Sequence, residues 1–209
     1  PDAAGGGPLH GLPLRRQLQS WEFRFVLVFF TAQMFRSNFY LGTNKALLEA
    51  YGDASTGYAY TQVFAAFLPV SVVCLPLVSA SISRGFAFTY LLVTAMGACW
   101  NIAALVPYLP AQPVAFAFFT TFRAFLYCIH FVYLCSTFGS RTSGSVHGVV
   151  TLLAACANFA IWPCTALAER FPDRGLTMAY VLLLLLCAFP LSLALQLRHR
   201  LRAAAPSPA

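Results

Sequence analysis

Two arginines sit inside long apolar runs of this chain, Arg36 in QMFRSNFYLG and Arg123 in FRAFLYCIHFVYLC. An ionised side chain at mid-bilayer costs about 2.5–3.5 kcal/mol even on lenient insertion scales, so each guanidinium needs a partner or a watery crevice. Near Arg36, Gln33 and Tyr40 recur at helical spacing, with Asn38 in the same two turns. Gln33, Arg36 and Tyr40 are therefore expected to point together as one polar stripe. After Arg123 come Tyr127, His130 and Tyr133 at roughly one-turn intervals, a pattern expected to share one broad face. A guanidinium fork takes a carboxylate bidentately, and phenols and an imidazole beside it suit a pocket for a small zwitterion. Two other uses remain open. Arg123 can be satisfied by carbonyls or a carboxylate on another helix, and Arg36, nearer the outer end of its run, can snorkel to the interface. Asn158 and Trp162, one turn apart beside the helix-bending Pro163, are further candidates to face the cavity.

The elements that must position these residues follow from composition. Of 209 residues, 59% are hydrophobic and 9% charged, where a soluble domain is about a quarter charged, so lipid must be part of the solvent. Crossing the hydrocarbon core takes about 20 mostly apolar residues. Six such runs can be counted, at about 21–42, 58–80, 86–106, 113–135, 146–168 and 176–197. The fold class expected is an all-α membrane protein with one six-helix bundle. Between Gly85 and Phe122 no charge occurs, and Pro107, Pro110 and Pro113 divide that stretch into two crossings. Arg15, Arg16, Arg84, Arg141, Arg198, Arg200 and Arg202 fall on one side of the predicted bundle. Lys45, Arg170 and Arg174 fall on the other, with Glu49, Asp53, Glu169 and Asp173. The positive-inside rule then places both ends in the cytoplasm. Residues 1–20 read as a linker that follows an upstream segment, and 198–209 as a basic tail.

Several classes are disfavoured. The 13 Lys and Arg are scattered, with no basic stripe suited to nucleic acid. The seven cysteines all lie in apolar runs, form no CxxC pair and read as buried thiols, not as a metal site or disulfide framework. No cofactor is expected, no HExxH or GxSxG motif occurs, and no enzyme is expected. No Asp or Glu lies deep in a run, so a facilitator is expected in preference to an ion-coupled pump. Gln62 and Asn101 read as interhelical hydrogen-bonding amides, and Gly144 with Gly148 as a close-packing GxxxG.

Three segments together resemble a family. RSNFYLG at 36–42 looks like the R-x-x-F-Y-x-G signature of solute carrier family 43, the L-type amino acid transporters of the major facilitator superfamily. SRGFAFTYLL at 83–92 is similar to the start of that family's ninth helix. The run from Arg123 through Tyr127 and Tyr133 to Phe138-Gly139 resembles its tenth helix and following loop. The resemblance implies the C-terminal six-helix half of a two-bundle carrier in the plasma membrane, partnered by an N-terminal half. It further implies facilitated transport of large neutral amino acids by alternating access, with the first and fourth spans lining the cavity, the second and fifth flanking it, and the third and sixth facing lipid. Ser83 stands where the superfamily's loop motif usually has Asp, and the loop after the fourth span is shorter than in animal members.

Overall fold

A computed structural model describes residues 9–171 and 175–204, without the side chains of residue 169 and residues 202–204. The expectations for residues 1–8, for the turn residues Asp173 and Arg174, for Arg202 and for the end of the tail lie outside what is described. Among the described residues the chain is helical, with no strand. The α-helices are α1 (Leu14–Leu18), α2 (Trp21–Ala50), α3 (Ala59–Phe67), α4 (Leu75–Ile82), α5 (Phe86–Ala104), α6 (Gln112–Phe138), α7 (Ser140–Asn158), α8 (Ile161–Glu169), α9 (Gly175–Leu186) and α10 (Ala188–Ala204). Five helical units are long and apolar enough to cross a membrane: Ala59–Ile82, Phe86–Ala104, Leu109–Phe138, Ser140–Ala168 and Gly175–Leu201. The 30-residue α2 is long enough, at about 45 Å, but its recurring polar side chains keep it out of that set.

Proline explains where three of these units break, because its ring crowds the carbonyl four residues back and offers it no N–H. Pro69 and Pro76 bracket a 3-10 segment, Leu68–Cys74, between α3 and α4. Pro163 ends α7 at Asn158, and Pro190 separates α9 from α10 at Cys187. Contacts between helix ends fix the directions. The Tyr51 hydroxyl donates to Ala104 O at 3.1 Å, joining the far ends of α2 and α5. The Arg200 guanidinium lies 4.3 Å from the Trp21 ring centroid, so α10 finishes beside the start of α2.

Two departures from the sequence reading concern the ends of the bundle. From Leu9 onward the expected linker is docked. Gln17 is fully buried and its amide donates to Leu9 O (3.0 Å) and Phe138 O (3.2 Å), while Leu9, Leu14 and Leu18 pack on the core. The expected basic tail, up to Ala204, is a continuation of α10.

Aromatic side chains build the core in two groups along α2. Nearer its start, Phe25 and Phe29 meet the Tyr90 ring at 5.0 and 4.8 Å, and Tyr133 joins them at 5.6 Å from Tyr90. Further along, Tyr40 packs on Trp100 (4.7 Å) and Phe119 (4.6 Å). Tilted and edge-on pairs of this kind add to the area they bury. Residues of α5 therefore close the centre, and the third span does not simply face lipid. Only 11% of the apolar window of Ala59–Ile82 and of Ser140–Ala168 is buried, against 39% for Phe86–Ala104, so these two units carry the most uncovered surface.

Outside the spans, Asp53 is fully buried in the turn after α2 and organises the entry to α3. Its carboxylate accepts from Thr56 Oγ1 (2.6 Å), Thr61 Oγ1 (2.7 Å), Tyr60 N (3.1 Å) and Thr61 N (3.0 Å). Burial opposes ionisation, but the two hydroxyls and two amides outweigh it and hold the carboxyl below its ordinary pKa. A carboxyl held low in the folded state contributes stability at pH values above its unfolded pKa and loses it as pH falls through the folded value. Removing this cap by Asp53→Ala is expected to cost about 1–2 kcal/mol at neutral pH. In thermal unfolding of purified protein, the wild-type advantage over Asp53→Ala should shrink below about pH 4; curves that stay parallel to pH 3 would show that the carboxylate charge contributes nothing.

Candidate functional site

Arg36 lies halfway along α2 and is fully buried. Its Nη1 donates to Gln33 Oε1 at 2.6 Å, its Nη2 to Gly97 O at 2.7 Å and its Nε to Leu183 O at 3.1 Å. The Trp100 ring centroid is 5.4 Å from the guanidinium carbon. The Leu183 carbonyl is available because the Cys187 N–H, its usual helical partner, turns to Leu184 O (3.0 Å) at the break before Pro190. Gly97 permits the close approach, since a Cβ there would stand 2.9 Å from Nη1. Gln33, Arg36 and Tyr40 do share a face, as expected, but that face is the bundle interior and not a crevice. Their assignment to solute binding is corrected accordingly, and so is the snorkelling alternative for Arg36. Asn38 is half-buried and lines neither groove described below.

The second stripe divides. At about 100° per residue, Arg123, Tyr127, His130 and Tyr133 spread over an arc of about 120°, wide enough to straddle groove and interior. Tyr133 is buried against Phe25, Phe86 and Tyr90. His130 is buried too, stacked on Phe30 at 3.9 Å with its Nε2 at 3.1 Å from His147 Nδ1. Neither side chain faces a solute, which corrects that part of the expectation.

Arg123 and Tyr127 do line one groove, of about 410 Å3. Thr120, Ala124 and Cys128 complete its α6 wall, Leu41 comes from α2, and Ser71 and Val72 come from the 3-10 segment. Arg123 is half-buried, eleven residues into a 27-residue helix, with its guanidinium 5.8 Å from the Phe119 ring centroid and 5.5 Å from that of Tyr127. Among the described residues the ion pair found is Lys45–Glu49, at 3.7 Å, so Arg123 has no carboxylate partner. The Tyr127 hydroxyl donates to Met34 Sδ at 3.1 Å.

Asn158 and Trp162 line another groove together, as the one-turn spacing leads one to expect. It measures about 450 Å3 and takes Gly42 and Thr43 from α2, so α2 is the ridge between the two grooves. Asn158 Oδ1 has no protein partner among the described residues. Both volumes fall within the usual range for small-molecule sites, about 300–1,000 Å3. The sequence reading missed Pro69 and Pro76, whose spacing of seven residues was the available signal for the broken wall of the Arg123 groove.

No family model, curated protein or solved structure matches the chain.

Three glycines test whether Arg36 is locked. Gly97→Ala drives a methyl against the pinned guanidinium and the Phe122 ring (3.3 Å), and is expected to cost about 1–3 kcal/mol. Nothing lies within 4 Å of a Cβ at Gly144 or Gly148, so the GxxxG seals no contact among the described residues and its alanine variants should be neutral. Heat-induced loss of monodisperse protein in detergent measures this, and equal midpoints for all three variants contradict a fixed Arg36.

Proposed function

We propose that this chain forms one six-helix half of a transmembrane carrier that moves amino acids by facilitated alternating access. In this reading α2 is the remaining span, its polar side chains covered by neighbouring helices, and an N-terminal six-helix half faces the two grooves. Both ends of the bundle then lie on the cytoplasmic side with Arg15, Arg16, Arg84, Arg141, Arg198 and Arg200, in the plasma membrane. The family resemblance at 36–42, 83–92 and 123–139 supports the same assignment.

The observation that carries the proposal is Arg123: a half-buried guanidinium at mid-helix, beside a groove, with no carboxylate among the described residues to neutralise it. Such a group is costly in lipid unless an anion visits it. A solute carboxylate meets the fork, and Tyr127, Leu41 and Val72 supply apolar contact for the rest of the solute.

A second reading, transport of another small organic anion, gains support from the same lining. No Asp or Glu borders the groove, so recognition of the carboxylate is stronger than recognition of an ammonium. Uptake by the full-length carrier in proteoliposomes, with amino acids and simple monocarboxylates in competition, separates the two. Charge-assisted hydrogen bonds contribute about 1.5–3 kcal/mol, so Arg123→Ala should lower kcat/KM for the winning solute at least tenfold, with Arg123→Lys intermediate. Unchanged kinetics in Arg123→Ala remove the residue from transport.

A further inference from the structure

The His130–His147 contact is unused by the proposed transport site, and it brings two imidazoles together inside the helices. His130 lies eight residues before the end of α6, and His147 seven residues after the start of α7. Both are therefore about 10–12 Å from the short α6–α7 connection, well inside the bundle. His130 is 2% exposed while His147 is half-buried, so the pair reaches from the surface of α7 into the core.

With the Nε2 of one ring 3.1 Å from the Nδ1 of the other, one nitrogen must donate and the other accept. A first added proton preserves this arrangement. It sits at the contact, where the N–H of one ring donates to the lone pair of the other, a charge-assisted and stronger bond. A second proton would set two N–H donors against each other. The surroundings favour a single shared charge. On α2 the pair meets the Phe30 ring, stacked on His130 at 18° between planes, with Glu22 and Arg36 about two turns away on either side. On α6 it is flanked by Tyr127 and Tyr133, and on α7 the nearest charge is Arg141, nearly two turns off. None of these groups hydrogen-bonds either imidazole ring among the described residues.

We propose that His147 and His130 form a one-proton binding site, and that its occupancy is linked to occupancy of the Arg123 groove. The route runs through Phe30: the ring that stacks on His130 also meets Tyr127 edge-on at 6.1 Å, and Tyr127 borders the groove beside Arg123. A positive charge on this pair also draws an anion towards the groove. By reciprocity, an anion bound at Arg123 raises the proton affinity of the pair. The linkage to uptake rests on the proposed carrier function; the proton site itself does not.

The test has two arms on the full-length protein in lipid nanodiscs or proteoliposomes. The first follows the imidazole 15N resonances of histidine-labelled protein between pH 8 and pH 5, assigned with His130→Gln and His147→Gln. The expected result is one proton taken up by the pair, with the other ring remaining neutral. Both rings staying neutral to pH 5, or both titrating as independent imidazoles, overturns the site. The second arm compares KM for the transported anion at pH 5.5 and 7.5, expected to be roughly three- to tenfold lower at the acid value. His147→Gln, which keeps a hydrogen-bonding amide but cannot titrate in this range, should bring that ratio to about one. A ratio unchanged by His147→Gln overturns the linkage, whereas complete absence of anion uptake in the wild type overturns the carrier function and leaves the first arm to decide the proton site.

Discussion

The guanidinium of Arg36 holds the bundle together at its centre. It sits between the two aromatic groups of the core and joins α2, α5 and α9 through hydrogen bonds to Gln33, Gly97 and Leu183. A buried charge without partners is among the most costly features a fold can contain, and removing one partner leaves the rest uncompensated. Each acceptor here depends on a different part of the sequence. Gln33 is one turn back on the same helix, Gly97 lacks the side chain that would block approach, and Pro190 breaks the last unit so that the Leu183 carbonyl faces inward without its usual partner. Helices distant in sequence are thereby fixed in register at one level.

That constraint decides which arginine is left to act. Arg36 and Arg123 are the same residue type, each near the middle of its helix, yet one has three acceptors at hydrogen-bond distance and the other has aromatic neighbours and a groove. The first is satisfied within the fold, and the second, among the described residues, has aromatic faces and no carboxylate against its charge. Because α2 is held through Arg36, its outer face is a rigid ridge, with Leu41 on one side and Gly42 and Thr43 on the other. The proposed solute site is built against a fixed wall on α2 and a broken one on Ala59–Ile82.

Helix positions were legible in the sequence because apolar length and proline placement determine them directly. The run at 86–106 is observed as Phe86–Ala104, and Pro163 marks the break after Asn158. The pairing of Asn158 with Trp162 was legible too, since residues one turn apart share a face whatever lies opposite. What a stripe faces was not legible. Spacing placed Gln33, Arg36 and Tyr40 together, but only the approach of Gly97 and the free carbonyl at Leu183 turn that face inward, and both come from other helices. For His130 the missing information was His147, seventeen residues later on the neighbouring helix, which turns a supposed pocket residue into half of a buried pair. The linker expected before α2 failed for a similar reason, because the burial of Gln17 depends on the Phe138 carbonyl across the bundle.

The broken helices bear on how a groove without carboxylates can meet an ammonium group. Pro76 has no N–H for the Val72 carbonyl, which takes Leu75 N–H instead in the tighter 3-10 pattern, and Val72 lines the groove that holds Arg123. Pro163 likewise has none for the Phe159 carbonyl, and Phe159 lines the groove of Asn158 and Trp162. Non-helical backbone at membrane depth is tolerated only where protein or a polar cavity satisfies it, so both breaks belong beside crevices and not against lipid. On the proposed reading the Val72 carbonyl, which keeps a second lone pair beside its bond from Leu75 N–H, also supplies what the side chains lack: an acceptor for an amino group in the same groove as the guanidinium. A zwitterion is then held by one charged side chain and by backbone at a proline break, and no acidic residue is needed in the membrane.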